Sequence, residues 1–483
     1  MMDWSIFSLA LPELILTLEA LFVVLVAAFA GETPAGRSFI RTIVLLAYAL
    51  AFAAVLSLPS EPVLLFDGLF ITGGLAAMMK GLVLIGAFFA SWMVGDDWSE
   101  GVERSEYQLL VLLATLGMLL MISAHDLISL YMAIEMQSLP LYVVAAMRTN
   151  SLRSSEAGLK YFLLGALSSG LLLYGASMIY GFAGSTRFDE IAASIDPANI
   201  PLGLTVGLVF LLSGLAFKIS AAPFHMWTPD VYEGAPTPVT ALFAMAPKVA
   251  AITLLMQVTY GAFGSIPMQW SQVLIALSVA SMLVGALGAI MQTDIKRMMA
   301  FSSIAHMGYA LAGLAAGTEA GASAVVIYMT TYVFMGAGAF SIILMMRRDD
   351  VPVQKITDLT GLSASHPLLA AAMMIVMFSM AGIPPLAGFF GKWYVFLAAV
   401  NAGLIPLAVI GVLTSVIGAF YYLRIIRLMY FSEADQPLDS HLPNENRMIL
   451  MISVLVIVGF VFVIGPLREH AVAITQNIAI IAG

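Results

Sequence analysis

The chain has 483 residues, of which 61% are hydrophobic and only 10% are charged, and its mean hydropathy is +0.99. Soluble globular domains carry about 25% charged residues, so this composition excludes a water-soluble fold. The absence of cysteine excludes disulfides, thiolate-bound iron–sulfur clusters and a cysteine nucleophile, and a net charge of −9 without a basic patch gives no indication of nucleic-acid binding.

The apolar residues form separate runs of roughly 20 residues, the length that crosses a bilayer core of about 30 Å as a helix. They predict an all-α polytopic membrane protein with about fourteen transmembrane helices. The first run begins close to Met1 with no basic region or cleavage site before it, so we expect a retained helix and not a signal peptide. The predicted spans are 9–29, 39–57, 71–94, 108–124, 127–146, 161–182, 202–220, 239–262, 270–291, 298–316, 321–346, 367–385 continuing to 401, 404–430 and 448–466.

The basic residues predict the orientation of these helices, because cytoplasmic loops carry an excess of lysine and arginine. With an even number of spans, both termini lie on one side of the membrane. The loops on that side hold only Arg187 and Arg468. The loops on the opposite side hold Arg37, Arg41, Arg104, Arg148, Arg153, Lys160, Lys296, Arg297, Arg347, Arg348, Lys355, Arg424, Arg427 and Arg447. Both termini are therefore expected on the non-cytoplasmic side.

Charged residues lie well inside several of the apolar runs, among them Lys80, Glu135, Lys218, Lys248 and Lys392. Each ionised side chain at the bilayer centre costs about 2.5 to 3.5 kcal/mol, and the sum is comparable with the stability of a whole domain. We therefore expect these residues to face the bundle interior and to take part in transport. The alternative is a static ion pair between helices, or a side chain that snorkels to the interface. For Lys80, which is not far from the end of its span and has no helix breaker or other motif beside it, a static ion pair or a snorkelling side chain is as compatible with the sequence as a role in transport.

Helix breakers accompany three of the lysines. Lys218 stands in FKISAAPFHMWTPDVYEGAPTP, whose four prolines cannot all occupy one regular helix, and Lys392 ends the similar segment SMAGIPPLAGFFGK. Lys248 directly follows Pro247. Non-helical backbone at membrane depth is tolerated only inside protein or beside a water-filled cavity, and paired interrupted helices indicate an inverted-repeat transporter. We predict two inverted five-helix repeats, each containing a broken helix.

This organisation divides the chain into four parts. Residues 1–107 are predicted to form transmembrane helices 1–3, and residues 108–262 the first repeat, with helices 4–8. Residues 263–430 form the second, inverted repeat, with helices 9–13, and residues 431–483 a cytoplasmic loop and helix 14. The two repeats share little similarity letter by letter, so the prediction depends on the breaks and the charges.

The buried charges suggest a proton relay. Burial disfavours the charged form of lysine, and a nearby carboxylate restores it. If Glu135 approaches Lys218, weakening that pair releases a proton toward the other lysines. His225, in the break after Lys218, and His306, in AFSSIAHMGYA, are further relay candidates because imidazole titrates near neutral pH; a packing or hydrogen-bonding role is the alternative for each. No two histidines have metal-ligand spacing, so no metal site is predicted.

Four segments carry a resemblance to a known family: LISLYMAIEMQSLPLYVV, FKISAAPFHMWTPDVYEGAPTPVTALFAMAPKVA, DIKRMMAFSSIAHMGY and MAGIPPLAGFFGKWYVF. They resemble the subunit N family of bacterial NADH:quinone oxidoreductase, respiratory complex I, and the likeness covers essentially the whole chain. PFHMWTPDVYEGAPTP is its most specific part, because related antiporter-like subunits carry a different version. The resemblance implies an antiporter-like, proton-translocating subunit in the bacterial cytoplasmic (inner) membrane, coupled to quinone reduction in other subunits.

The resemblance also implies that this chain is a translocase subunit that performs no redox chemistry and holds no cofactor. NADH, FMN, iron–sulfur clusters and quinone are expected in partner subunits, and the partners are other membrane-arm subunits, including neighbouring antiporter-like subunits. Glu135 matches the glutamate of the fifth helix that pairs with the lysine of the broken seventh, Lys218. Lys248 matches the central lysine of the eighth helix, and Lys392 the terminal lysine of the broken twelfth.

The resemblance assigns no role to Lys80 or Glu19. Glu19 and Glu13, both in the first span, are unexplained by the sequence unless they face a partner subunit.

Three other functions stay open from the sequence. A subunit of a multisubunit cation/proton antiporter would share the fold and the charged axis, although the PFHMW segment argues against it. A non-conducting scaffold would use its buried charges only to hold the membrane arm together. An ordinary solute carrier would bind an organic anion at the helix breaks, but no arginine, the usual bidentate ligand of carboxylate and phosphate, lies near the middle of a predicted span.

Overall fold

A computed structural model describes residues 4–31, 33–95, 102–433, 438–439 and 443–476, most of which are helical. Within these ranges, twelve helical segments are long and apolar enough to cross a membrane. The prediction of an all-α polytopic membrane protein is therefore confirmed. The total of about fourteen stays a prediction, because it depends on two further segments that are each divided into shorter helices.

The N-terminal part contains a helical hairpin, a short β-hairpin and a third long helix. Its helices are α1 (Trp4–Leu9), α2 (Leu11–Ala30), α3 (Pro34–Leu56) and α4 (Gly74–Trp92). The strands β1 (Val63–Leu65) and β2 (Phe70–Thr72) pair antiparallel, with Val63 opposite Thr72. This hairpin lies beside the α5–α6 connection, since Phe70 also forms a bridge with Ala124.

The next part runs to a π-helical turn. Its helices are α5 (Ser105–Ser123), α6 (Leu127–Ala145), α7 (Leu152–Ala183), α8 (Phe188–Ser194), α9 (Leu202–Lys218), α10 (Trp227–Gly234), α11 (Thr237–Ala244) and α12 (Ala246–Met256), which the π-helix Gln257–Ala262 continues. The predicted eighth span is thus bent at Met245, whose backbone leaves the helical region just before Pro247 and Lys248.

The remaining helices are α13 (Pro267–Ile290), α14 (Ile295–Ala315), α15 (Glu319–Met345), α16 (Leu362–Ser365), α17 (Pro367–Ala381), α18 (Ala387–Asn401), α19 (Ile405–Phe431) and α20 (Asn444–Thr475). Between α15 and α16 the strands β3 (Arg347–Arg348) and β4 (Val351–Pro352) pair antiparallel, and a 3₁₀ turn covers Ile356–Leu359.

Several helices extend beyond their apolar runs into polar turns. The predicted span 161–182 is α7, which begins at Leu152, and the span 448–466 is α20, which ends at Thr475. Placing ten of the basic residues in loops was therefore wrong, since they lie in helices: Arg37, Arg41, Arg153, Lys160, Lys296, Arg297, Arg424, Arg427, Arg447 and Arg468. Asp294 stabilises one such end, because its side chain accepts a hydrogen bond from Arg297 N and caps α14. Hydropathy detects only the part of a helix that lies in the hydrocarbon core of the membrane. The backbone hydrogen bonds of the same helix continue into the polar region, so the observed helix is longer than the apolar run.

The first predicted break is present between α9 and α10. Residues 219–226 are not helical, and Ser220 adopts a left-handed backbone conformation with φ of 63°. Polar side chains bind the backbone groups that the break frees: Ala222 N donates to Ser281 Oγ at 2.8 Å, and Trp227 Nε1 donates to the Phe217 carbonyl at 3.2 Å. These contacts satisfy the requirement that buried backbone groups be hydrogen-bonded.

The second predicted break lies between α17 and α18. Gly382 ends α17 with φ of 89°, a conformation that favours glycine, and a Cβ there would also lie 3.0 Å from the Lys392 side chain. Gly388 N donates to Ser379 Oγ at 3.0 Å. Both breaks are therefore held by the hydroxyls of buried serines, Ser281 and Ser379.

The buried centre of the bundle consists of α11, α12, α14 and α15, whose residues are almost all inaccessible. The outer helices expose apolar side chains, as expected of surfaces that face lipid or other membrane proteins. Examples are Phe29 of α2, Leu167 of α7, Val416 of α19 and Phe462 of α20. The candidate residues Lys248 and His306 lie in the buried centre.

Candidate functional site

Lys248 is the most central of the predicted relay lysines. It stands in the first turn of α12 and is 1% exposed. Its ammonium donates a hydrogen bond to Ser303 of α14, and Ser303 shares a second hydrogen bond of 2.6 Å with the hydroxyl of Tyr332 on α15. Nζ also lies 5.7 Å from the centre of the Tyr232 ring. Lys248 is thus held by neutral hydroxyl and aromatic groups.

His306 is the centre of a second hydrogen-bonded group, one turn along α14. Its Nδ1 lies 2.6 Å from the hydroxyl of Tyr328 and its Nε2 lies 3.1 Å from the hydroxyl of Tyr422. The Tyr422 hydroxyl also lies 2.5 Å from Ser302 Oγ. All four side chains are at most 2% exposed. The structure therefore brings His306 into the interior, with both ring nitrogens bound to hydroxyls.

Lys392 is held by oxygen atoms at the end of a broken helix. Its Nζ donates to the carbonyl groups of Met380 and Ala381 at 2.9 and 3.0 Å and to Ser415 Oγ at 2.8 Å. The carbonyl end of α17 carries partial negative charge, which stabilises a cation. Nζ also lies 5.0 Å from the centre of the Tyr309 ring.

Helix α14 connects these three groups. Two turns of this helix carry Ser302, Ser303, His306 and Tyr309. Ser303 binds Lys248, His306 binds Tyr422, and the Tyr309 ring faces Lys392. The ring of His306 lies 5.9 Å from that of Tyr309, the tyrosine whose ring faces Lys392.

Glu135 and Lys218 do not form the direct ion pair that the sequence suggested. Lys218 Nζ donates to Ser138 Oγ at 2.6 Å, and Glu135 accepts a hydrogen bond from Ser169 of α7. Among the ion pairs of the described residues, none joins Glu135 to Lys218. Ser138 is one helical turn after Glu135 on α6, so the hydroxyl takes the place expected for the carboxylate.

His225 is not brought into either hydrogen-bonded group. It is partly buried in the break after α9, beside Met226, which is 65% exposed. The hydrogen bonds of the described residues do not connect its ring to Lys218 or Lys248. Of the two histidine candidates, only His306 lies among the lysines.

Lys80 is bound by a residue to which the sequence assigned no role. Its Nζ lies 2.6 Å from a carboxylate oxygen of Glu13 on α2, and the two side chains are 0% and 6% exposed. Phe70 of β2 lies over the ammonium, with its ring centre at 5.0 Å. The contact joins α2 to α4. Lys80 therefore forms the static ion pair between helices that was the alternative to a transport role.

A surface cluster of charges fixes the second half of the broken helix. Asp230 of α10 binds Lys160 of α7 and Arg297 of α14, each at 2.6 Å. Glu233, one turn later, binds the same arginine at 2.9 Å and lies 3.8 Å from Arg153. Sequence analysis identified the three basic residues only as orientation signals, because nothing in their spacing indicates that they meet these two carboxylates.

Comparisons with known proteins were made for the whole chain. Residues 124–418 match the family described as NADH:quinone oxidoreductase/Mrp antiporter, transmembrane. NADH-quinone oxidoreductase subunit N of Rhodospirillum rubrum is 53% identical over 456 residues, which are 94% of this chain and 93% of that protein. NADH-quinone oxidoreductase subunit N 1 of Rhizobium meliloti is 52% identical over 473 residues, 97% of each chain.

Solved structures show the same fold. A chain of respiratory complex I from Thermus thermophilus with bound aureothin aligns with a TM-score of 0.82 and 34% identity, covering 96% of this chain and 99% of that one. A chain of the Mrp complex from Dietzia sp. aligns with a TM-score of 0.86 over 98% of both chains, but with only 22% identity, so it is similar in fold alone.

Proposed function

Because this chain belongs to the subunit N family of NADH-quinone oxidoreductase, we propose that it translocates protons in the membrane arm of complex I through Glu135, Lys218, Lys248 and Lys392. It is a membrane subunit of an enzyme whose redox chemistry takes place elsewhere. NADH, FMN, iron–sulfur clusters and quinone bind to partner subunits, and this chain holds no cofactor. Identity above 50% with relatives named subunit N favours complex I over a cation/proton antiporter.

The observation that carries the proposal is the pair of hydroxyl-linked groups on α14. A hydroxyl both donates and accepts a hydrogen bond, and a neutral imidazole does so through its two nitrogens. Ser303 can therefore take part in proton transfer from Lys248, and His306 can transfer a proton between the hydroxyls of Tyr328 and Tyr422.

Water completes the link between Lys218 and Lys248. Several side chains in or near the first break have a buried polar atom without a hydrogen-bond partner among the described residues: Tyr142, Ser220, His225, Thr228 and Tyr232. Buried polar groups are normally hydrogen-bonded, and ordered water is the usual partner where protein groups are missing. Tyr142 lies beside Lys218, and Tyr232 lies beside Lys248, so hydration of this region joins the two lysines.

Protons enter from the side on which Arg104 lies. A cleft of about 530 Å³ opens there between α5, α6 and α7 and reaches Tyr142. The ring centre of Tyr142 is 5.9 Å from Lys218 Nζ. The excess of basic residues identifies this side as the cytoplasm, so both termini lie on the opposite side of the bacterial inner membrane.

The two halves, 108–262 and 263–430, are inverted repeats in this proposal. Each contains one divided helix that is followed by the next long helical segment: α9 and α10 by α11–α12, and α17 and α18 by α19. The odd number of helices in each repeat reverses the direction of the second one. Lys218 and Lys392 then lie beside corresponding breaks.

Glu135→Gln tests the function directly. Glu135 lies one helical turn before Ser138, which binds Lys218, so removing the carboxylate should abolish or strongly reduce proton pumping while the complex stays assembled. Purified variant complexes in sealed vesicles would be assayed for NADH oxidation, proton uptake and subunit content. Ser185→Ala, which removes a hydroxyl from the loop after α7, serves as a control that should pump normally. Unimpaired pumping in Glu135→Gln would refute the role of the carboxylate, and loss of assembly would favour the scaffold.

A further inference from the structure

Helix α2 carries two glutamates, of which one forms an ion pair within the bundle and the other does not. Glu13 and Glu19 are six residues apart, so their side chains point in directions about 120° apart around the helix. Glu13 faces the bundle and binds Lys80 at 2.6 Å. Glu19 therefore cannot share that partner.

Glu19 lies near the middle of a helix that is otherwise apolar over its central turns. It is the ninth of the twenty residues of α2 and is partly buried. Its Oε1 atom is buried and has no hydrogen-bond partner among the described residues. Oε1 is thus at membrane depth without a hydrogen-bond donor from the part of the chain that the structure describes.

The side chains around Glu19 form an exposed apolar stripe. Leu18, Leu21 and Leu25 are 66%, 61% and 59% exposed, and Phe29 is 90% exposed. Their spacing of three or four residues places them along one side of α2. Such a stripe suits either lipid or another apolar helix, but a carboxyl group at its edge does not suit lipid, where its charge costs about 2.5 to 3.5 kcal/mol.

We propose that this face of α2 binds a transmembrane helix of a neighbouring subunit, and that this helix is apolar apart from a hydrogen-bond donor that meets Glu19 at mid-membrane depth. Ionisable residues inside a membrane face protein or water and pair with polar groups. Helix packing against the leucine stripe would supply the contact surface, and the donor would fix its depth and register. The proposal rests on the chain being one subunit of a membrane assembly and is independent of the proton relay.

Replacing the carboxyl group of Glu19 should lower retention of the subunit if this face binds a partner helix, but not if it faces lipid. Glu19→Leu leaves the donor of the partner helix buried and unbonded, so about tenfold less of this subunit should remain in the purified complex after mild detergent treatment. On a lipid-facing surface the same change removes a charge and leaves retention unchanged or increased, which would overturn the proposal. Glu19→Gln, which keeps an acceptor oxygen, should retain more subunit than Glu19→Leu.

Thr17→Leu is the matched control on the same helix. Thr17 is exposed, but its hydroxyl donates to the carbonyl of Glu13 at 2.7 Å and needs no further partner. This variant should be retained like the unmodified subunit. In complexes that keep the Glu19→Leu subunit, the number of protons pumped per NADH should be normal, so failure of this proposal and failure of the relay give different results.

A photo-activatable residue at Leu21 provides a second measurement in the assembled, purified complex. We expect irradiation to join Leu21 to a transmembrane peptide of another subunit, identified by mass spectrometry. Crosslinking to lipid only, in complexes that contain every subunit, would contradict the proposal even if Glu19→Leu proved too unstable to purify.

Discussion

Lys80 and Lys248 are equally buried, but they differ in what surrounds the ammonium group. Lys80 touches the carboxylate of Glu13 at 2.6 Å, whereas Lys248 binds the hydroxyl of Ser303 and has no carboxylate within ion-pair distance in the described part of the chain. A carboxylate fixes the charge of its lysine, because separating a buried ion pair is costly. A hydroxyl imposes no such charge. Burial alone therefore does not identify a relay lysine; the groups that bind it do.

The same difference separates the two regions in which these lysines lie. The Lys80 region, between α2 and α4, holds one closed ion pair. The region around α14 holds several neutral hydroxyls, an imidazole and two lysines. Neutral groups that both donate and accept allow a proton to change position without leaving a buried charge unbonded.

Replacing Lys80 or Lys248 with arginine should give the largest difference in proton pumping between the two sites. Arginine keeps the positive charge but does not lose its proton in proteins. Lys248→Arg should therefore stop proton transfer through this subunit, whereas Lys80→Arg should leave pumping close to normal. The measurement is proton uptake per NADH oxidised in vesicles. A gel of the intact complex checks that the larger side chain has not prevented assembly, and equal pumping by the two variants would contradict the distinction.

Removing the charge of Lys80 should act on stability. Lys80→Met leaves the carboxylate of Glu13 buried and unpaired, at a cost of about 3 to 5 kcal/mol. The double variant Lys80→Met with Glu13→Leu removes both charges and should recover most of the loss. Thermal dissociation of the complex measures both effects. If the double variant is as unstable as the single one, the ion pair is not the cause.

Tyr422→Phe should give a smaller effect, confined to the relay. The substitution keeps the ring and removes only the hydroxyl that contacts Ser302 and His306. We expect pumping to slow by about tenfold, since a lost buried hydrogen bond costs on the order of 1 kcal/mol or more, while assembly stays normal. Tyr430→Phe, on the same helix but 36% exposed, is the matched control. Equal rates in the two variants would exclude Tyr422 from the path.

The sequence predicted the helical architecture and the positions of the breaks, because both depend on local properties. Runs of apolar residues determine the spans, and clustered prolines and Gly382 interrupt them where the structure has its breaks. Burial of Lys218, Lys248 and Lys392 was also predictable, since an ionised side chain in lipid is too costly.

The partners of these lysines could not be predicted from local patterns. Ser303 and Tyr332 are 29 residues apart, and Ser302 and Tyr422 are 120 residues apart. Nothing in the sequence around Tyr422 distinguishes it from a tyrosine in the packed core. The Glu13–Lys80 pair was missed for the same reason, because it requires the packing of α2 near α4.

The spacing of chemically related residues also misled the sequence analysis at Glu135. A carboxylate and a lysine in neighbouring buried helices suggest an ion pair, but the structure places Ser138 against Lys218 and Ser169 against Glu135. Two serine hydroxyls, which hydropathy treats as neutral, thus keep the charges apart.

A hydrated path between the buried lysines would be visible in an experimental map of the assembled complex that resolves ordered water. We expect water molecules between Lys218 and Lys248, bound to Tyr142, Thr228 or Tyr232, and further water between His306 and Lys392. A dry apolar barrier between these side chains, wider than about one hydrogen-bond length of ~3 Å and present in every state of the complex, would contradict it.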